Sequence, residues 1–122
     1  MKEIMHSTYA HTPVGPYSLA VKAGSLIFMS GQIAPAATGA NLYEAQTRAI
    51  LNTIQSILHS WQLTMDNILK ATIFLTDMNQ FSVVNDVYAS FFPTTPPARS
   101  CVEVSSLPKD SKVEIEVIVT AE

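Results

Sequence analysis

Charge is scarce in this chain. Of 122 residues only 14% are charged while 48% are hydrophobic, and mean hydropathy is +0.22. A monomer of this size cannot hide so many apolar side chains in one core, so the balance points to association with further copies. The seven basic residues, Lys2, Lys22, Arg48, Lys70, Arg99, Lys109 and Lys112, are scattered through a chain of net charge −3. No basic stripe for nucleic acid results. There is one cysteine, Cys101, so no internal disulfide forms, which suits a reducing compartment. No apolar run reaches the roughly 18 residues that cross a bilayer, and no apolar h-region follows Met1-Lys2-Glu3. The expectation is a soluble, cytoplasmic protein forming one domain over residues 1–122.

Motifs are scarce too. His6, His11 and His59 have no metal-ligand spacing with one another or with carboxylates. No GxGxxG, Walker A, GxSxG or CxxC sequence occurs. Nothing in the residues calls for a metal or a cofactor, and no histidine adjoins Cys101 to activate its thiol. A lone cysteine in a valine-rich strand reads first as a small hydrophobe.

What is present is a pair of alternating runs near the C-terminus. Pro97-Ala98-Arg99-Ser100-Cys101-Val102-Glu103-Val104 and Val113-Glu114-Ile115-Glu116-Val117-Ile118-Val119 both have period 2, and the polar segment Ser105 to Lys112 joins them. This predicts a β-hairpin with a longer loop. Its alternation assigns Val102, Val104, Val113, Ile115, Val117 and Val119 to one face, and Arg99, Cys101, Glu103, Glu114 and Glu116 to the other. The polar face is either a solvated surface with weak ion pairs or a site. In a site, the planar Arg99 fork would grip a carboxylate and a glutamate would hold or move a proton.

Upstream, Glu3 to His6 reads as a short edge strand. His11-Thr12-Pro13-Val14-Gly15-Pro16 is a fixed irregular loop. Tyr17 to Ala23 and Leu26 to Ser30 read as strands joined at Gly24-Ser25, the second apolar on both faces. Gly31 follows, where the missing side chain lets a backbone N–H approach a ligand. Asn41 and Glu44 have capping-box spacing ahead of a helix to about Trp61, whose buried face is Ile50, Ile54, Ile57, Leu58 and Trp61. Ile68 to Thr76 is the next strand, with Leu69, Ala71, Ile73 and Leu75 on one face. Asp77 opens a second helix ending near Phe92, with a stripe of Phe81, Val84, Tyr88 and Phe91. Asn85 lies inside that apolar stripe. It serves either a loop backbone or a site. The element order is β-β-β-α-β-α-β-β. Two helices cover one sheet face and no chain remains for the other, so self-association is expected.

Gly15-Pro16-Tyr17-Ser18, Ser30-Gly31-Gln32, Asn85, Pro97 to Val104, Leu107-Pro108-Lys109-Asp110 and Val113-Glu114-Ile115-Glu116 together resemble the RidA (YjgF/UK) family of reactive-intermediate deaminases over essentially the full length. The resemblance implies an α+β, chorismate-mutase-like, RidA-type fold: a six-stranded sheet with two helices on one face. It implies a homotrimer with sites in the clefts between subunits, no metal and no cofactor. The implied reaction is hydrolysis of 2-imino acids, released as enamines, to 2-keto acids and ammonia. In it Arg99 would clamp the substrate carboxylate and Glu114 would activate water. Cys101 would contact the imine nitrogen through its backbone, with Ser30 and Gly31 holding the ligand. Tyr17 would wall the pocket and Asn85 would support it. The short segments Pro35 to Ala40 and Pro93 to Pro97 depart from the family pattern where they would border that pocket. Two other functions compete: a non-catalytic module sensing small 2-keto or amino acids, which needs Arg99 but not Glu114, and an endoribonuclease, which the acidic charge disfavours.

Overall fold

Period-2 alternation does produce the strands, but their order is not the order in sequence. The computed structural model describes residues 1–122. It contains β1 (Glu3–Met5), β2 (Ala20–Ala23), β3 (Leu26–Gln32), α1 (Leu42–Ser60), β4 (Ile68–Leu75), α2 (Phe81–Ala89), β5 (Ala98–Glu103) and β6 (Val113–Thr120). The strands form one sheet in the order β1-β2-β3-β6-β4-β5. Strand β6 is central because Val113, Ile115, Val117 and Val119 give it an unbroken buried row. It runs antiparallel to both β3 and β4. This is the expected α+β fold, six strands with two helices against one face.

The hairpin expected from Pro97 to Val119 does not form. β5 pairs in parallel with β4, Arg99 opposite Ala71 and Cys101 opposite Ile73, and β4 separates it from β6. A parallel neighbour needs a crossover, and α2 supplies it between β4 and β5. The segment after β5 then steps over the end of β4. There Val104 N–H donates to Leu75 O, Thr76 N–H donates to Lys112 O, and Lys109 and Asp110 take left-handed turn conformations at φ 56° and 55°.

Helix α1 keeps the expected N-cap and apolar face, although only the Asn41 half of the capping box forms. The Asn41 side chain accepts from the backbone N–H of Tyr43 and of Glu44, a cap worth about 1 kcal/mol. Ile50, Ile54, Ile57 and Leu58 are fully buried against the sheet, each contributing about 1.5–3 kcal/mol of burial. Trp61 sits at the edge of that core and its indole N–H donates to His6 O at 2.8 Å. Helix α2 begins later than expected, after a 3₁₀ turn over Met78–Gln80 for which the Asp77 side chain is the cap. The Glu103 carboxylate accepts from Met78 N–H at 2.7 Å, tying the end of β5 to the entry of α2. The buried side is Val84, Val87, Tyr88 and Phe92, with Phe91 only partly covered. Leu69 is exposed where an irregularity between Ile68 and Lys70 turns it out of the row formed by Ala71, Ile73 and Leu75.

The second face of the sheet is bare. Leu26, Phe28 and Val102 are 37%, 45% and 42% exposed there, and Ile4 is 49% exposed on the edge strand. No helix of the chain is long and apolar enough to cross a membrane.

Candidate functional site

Arg99 and Cys101 point to the helix side of the sheet, because their β4 partners Ala71 and Ile73 are buried core residues. On α2, Phe81, Asn85 and Tyr88 recur at i, i+4 and i+7 and so share one stripe. The Arg99 side chain reaches that stripe. Its Nη1 donates to Asn85 Oδ1 at 2.8 Å. Its guanidinium carbon lies 5.4 Å from the Phe81 ring centroid and 4.9 Å from that of Tyr88. Beside them opens a pocket of about 400 Å³ lined by Asn85, Tyr88, Ala89, Phe92, Pro96, Pro97 and Arg99. Asn85 therefore reaches the arginine rather than a loop backbone.

The remaining polarity of this cluster is muted. The Tyr88 hydroxyl is buried with no hydrogen-bond partner. Burial pushes its phenol up, and the Arg99 charge pulls in the other direction. Burial likewise pushes the Cys101 thiol up, again against Arg99. A thiol raised this way is protonated at neutral pH and a poor nucleophile. Cys101 instead packs on the core.

A second cluster forms where β3 ends beside β6. The ladder between them is irregular from Met29 to Gln32, which frees Ser30 and Gly31 from regular pairing. Ser30 N–H donates to Leu19 O at 2.8 Å, and its hydroxyl donates to Ser18 O at 2.6 Å. These bonds fasten the segment that carries Tyr17, a residue 55% exposed. Gly31 lies against the Glu114 side chain. A Cβ built there would fall 2.8 Å from the carboxyl carbon and 3.0 Å from Cγ, and would collide with the carboxylate oxygen. Glu114 pairs with Phe74 on the bare face. Burial raises its carboxyl, and the neighbouring Glu116 charge raises it further. A carboxyl so placed can exchange a proton at less acidic pH than an ordinary one.

The residues singled out in the sequence thus fall into two groups. Asn85, Arg99 and Cys101 gather at the β5 edge on the helix side. Ser30, Gly31 and Glu114 gather at the β3–β6 end, with Glu114 on the bare face, while Tyr17 is exposed and adjoins Ser18, whose carbonyl accepts from the Ser30 hydroxyl. The shared face expected for Arg99, Cys101 and Glu114 is corrected by the register: Glu114 aligns through Phe74 with Val102, not with Arg99 or Cys101. The alternation was legible, but without the partner strand its phase between β5 and β6 was not. The sequence pattern assigns Phe81 and Tyr88 only to the core. Their spacing around Asn85 was the signal that they also face the arginine.

The family model described as Endoribonuclease L-PSP matches residues 8–121. The RutC family protein PH0854 of Pyrococcus horikoshii is 41% identical, covering 100% of both chains. TdcF of Escherichia coli, whose name provisionally assigns it as a reactive intermediate deaminase, is 40% identical over 97% of this chain and 96% of its own. The crystal structure of E. coli TdcF with bound serine superposes with a TM-score of 0.87 at 38% identity, covering 98% of this chain and 99% of that one. A Rid family protein of Yersinia pestis gives a TM-score of 0.89 at 43% identity, over 98% and 99% of the two chains.

Proposed function

The chain belongs to the RidA (YjgF) family, and on that footing we propose that it hydrolyses small 2-imino acids and their enamine forms, such as 2-aminoacrylate and 2-iminobutyrate, to 2-keto acids and ammonia. The observation that carries this reading is Arg99. One of its amino groups is already held by Asn85 at 2.8 Å, and it lines an open pocket. The rest of its fork is available for the carboxylate that imine and keto acid share. That a relative was crystallised with bound serine, a small amino acid, supports a carboxylate clamp of this kind.

Glu114 supplies the other half of the chemistry. Its carboxylate takes a proton from water as the oxygen bonds to C2 of the protonated imine. The C=N electron pair moves onto nitrogen, giving a tetrahedral aminoalcohol. The glutamic acid returns its proton to that amine, the regenerated carboxylate then accepts the hydroxyl proton and later releases it to solvent, and the C–N bond breaks as the C=O bond forms. Ammonia leaves and the keto acid remains. A protonated imine is already electrophilic, so positioning the water and the substrate accounts for much of the acceleration. Gly31 lets the carboxylate lie against β3, and its N–H, with Ser30, borders the ligand. Tyr17 would wall the cleft from the same copy that supplies Glu114.

Within one chain Arg99 and Glu114 face opposite sides of the sheet, so one substrate meets both only across two copies. The bare apolar face provides the surface for that contact, and β5, an edge strand with unpaired backbone groups, adjoins it. We take the assembly to be the homotrimer of the family, with each site shared between neighbours. The acidic net charge and scattered basic residues weigh against RNA cleavage. The test is ammonia release from enzymatically generated 2-aminoacrylate and 2-iminobutyrate, with Arg99→Ala as control. Acceleration over the spontaneous hydrolysis that persists in Arg99→Ala, or no acceleration by the parent protein, overturns the reading.

A further inference from the structure

Arg99 is held by more than the amide of Asn85. Phe81 and Tyr88 flank that amide on the α2 stripe, and both ring centroids lie within 6 Å of the guanidinium carbon, the reach of a cation–π contact. Tyr88 is itself braced: it is 4% exposed and packs on Phe92 with ring centroids 4.8 Å apart. Its hydroxyl makes no hydrogen bond, so what Tyr88 offers its surroundings is the ring. The phenol stays neutral, because burial holds its proton on. An arginine side chain has several soft torsions, and left free it would surrender much of its rotamer entropy on meeting a ligand. Here one hydrogen bond and two ring faces have restricted it beforehand.

We propose that Phe81 and Tyr88 are positioning residues: their ring faces hold the Arg99 guanidinium, Asn85 sets its rotation, and the fork is thereby preorganised for a carboxylate. The proposal rests on the carboxylate-clamp reading of Arg99. It assigns a functional reason to two residues whose burial and spacing already suit a core. A core role alone predicts that replacing Tyr88 by another large apolar residue changes stability and leaves ligand affinity alone. Positioning predicts that affinity follows the aromatic ring.

The experiment compares the parent, Tyr88→Leu, Tyr88→Phe and Phe81→Leu as assembled proteins. Calorimetric titration with 2-ketobutyrate is expected to show Tyr88→Leu binding about threefold to thirtyfold more weakly, the range of one partly desolvated cation–π contact. Tyr88→Phe, which restores the ring without the unpaired hydroxyl, restores affinity. In the deaminase assay KM rises with Kd in Tyr88→Leu while kcat holds within about twofold, as expected when binding common to ground and transition state is lost. If Tyr88→Leu does not fold, Phe81→Leu carries the comparison, since Phe81 is only partly buried. Unchanged affinity in the leucine variants overturns the proposal, as does failure of Tyr88→Phe to restore it. A separate readout needs no ligand: ¹⁵N NMR of the Arg99 guanidinium, whose rotation should be slow in the parent and in Tyr88→Phe and fast in Tyr88→Leu. Equal rotation in all three also overturns the positioning role. If the parent binds no 2-ketobutyrate but the rotation differs as expected, the clamp reading fails and the positioning stands.

Discussion

Arg99 and Glu114 occupy opposite faces of the same sheet, with β4 between their strands. Arg99 aligns through Ala71 with Val117, three residues along β6 from Glu114. Two strand spacings and three residue rises put their Cα atoms roughly 14 Å apart, with side chains diverging. A three- or four-carbon acid is too small to bridge them.

Complementation between inactive copies follows from a shared site. Arg99→Ala and Glu114→Gln should each be inactive, or nearly so, alone. Unfolded together at equal concentrations and reassembled as trimers, about three quarters of the assemblies contain both variants. Each mixed ring restores one of its three interfaces, so about a quarter of the parental activity returns. Mixing that restores nothing would place both residues of each site on a single chain.

Cys101→Ser should keep activity within about tenfold of the parent, because burial holds the thiol protonated and no base adjoins it. Alkylation of the native protein by iodoacetamide should be slow for the same reason. Complete loss of turnover in an intact assembly would instead indicate a nucleophilic sulfur.

Gly31→Ala should injure catalysis more than folding. The new methyl group would occupy the position of the Glu114 carboxyl group, and the carboxylate must swing away. A displacement of about 1 Å at a catalytic group costs on the order of 10²-fold in rate, while the overpacking costs about 1–3 kcal/mol. A crystal structure of the variant should show Glu114 moved. An unmoved carboxylate with normal turnover contradicts the close approach.

Much of this was legible in the sequence because it depends on local rules. Asn41 caps α1 where its spacing requires, and the Ile50-to-Leu58 rhythm identifies the buried helix face. The alternation of Val113 to Val119 marks a strand with one buried row. The bare second face was legible too, since two helices cover only one side. What failed was the partnership of β5. Arg99 to Glu103 alternates equally well beside an antiparallel β6 or a parallel β4. The choice depends on how α2 returns the chain, a nonlocal matter that period-2 patterning does not encode. The face assigned to Glu114 relative to Arg99 failed with it. Gly31 reads in the sequence as room for a ligand, whereas the group that lies in that space is the Glu114 side chain, which emerges only from the β3–β6 register.

The sharpest test separates the two halves of the site by their chemistry. Arg99→Lys keeps a positive charge but loses the planar fork, so it should weaken 2-ketobutyrate binding and kcat/KM together. Glu114→Gln is nearly isosteric but cannot accept a proton. It should bind 2-ketobutyrate almost normally while kcat falls roughly 10²–10⁴-fold, the usual loss for a general base. The pH profile supplies an independent sign. Burial and Glu116 raise the Glu114 carboxyl above its usual value of 4.5, so the active carboxylate forms only at higher pH. The acid limb of kcat/KM should therefore lie above 4.5 and vanish in Glu114→Gln. Stability should move oppositely. The folded protein holds this proton more tightly than the unfolded chain, so the contribution of Glu114 to stability declines as pH rises through that window. Glu114→Gln should thus gain in Tm relative to the parent as pH increases from acid to neutral. A glutamine variant that turns over at the parental rate would leave Arg99 as a carboxylate clamp without a base. The protein would then be a sensor of small keto or amino acids rather than an enzyme.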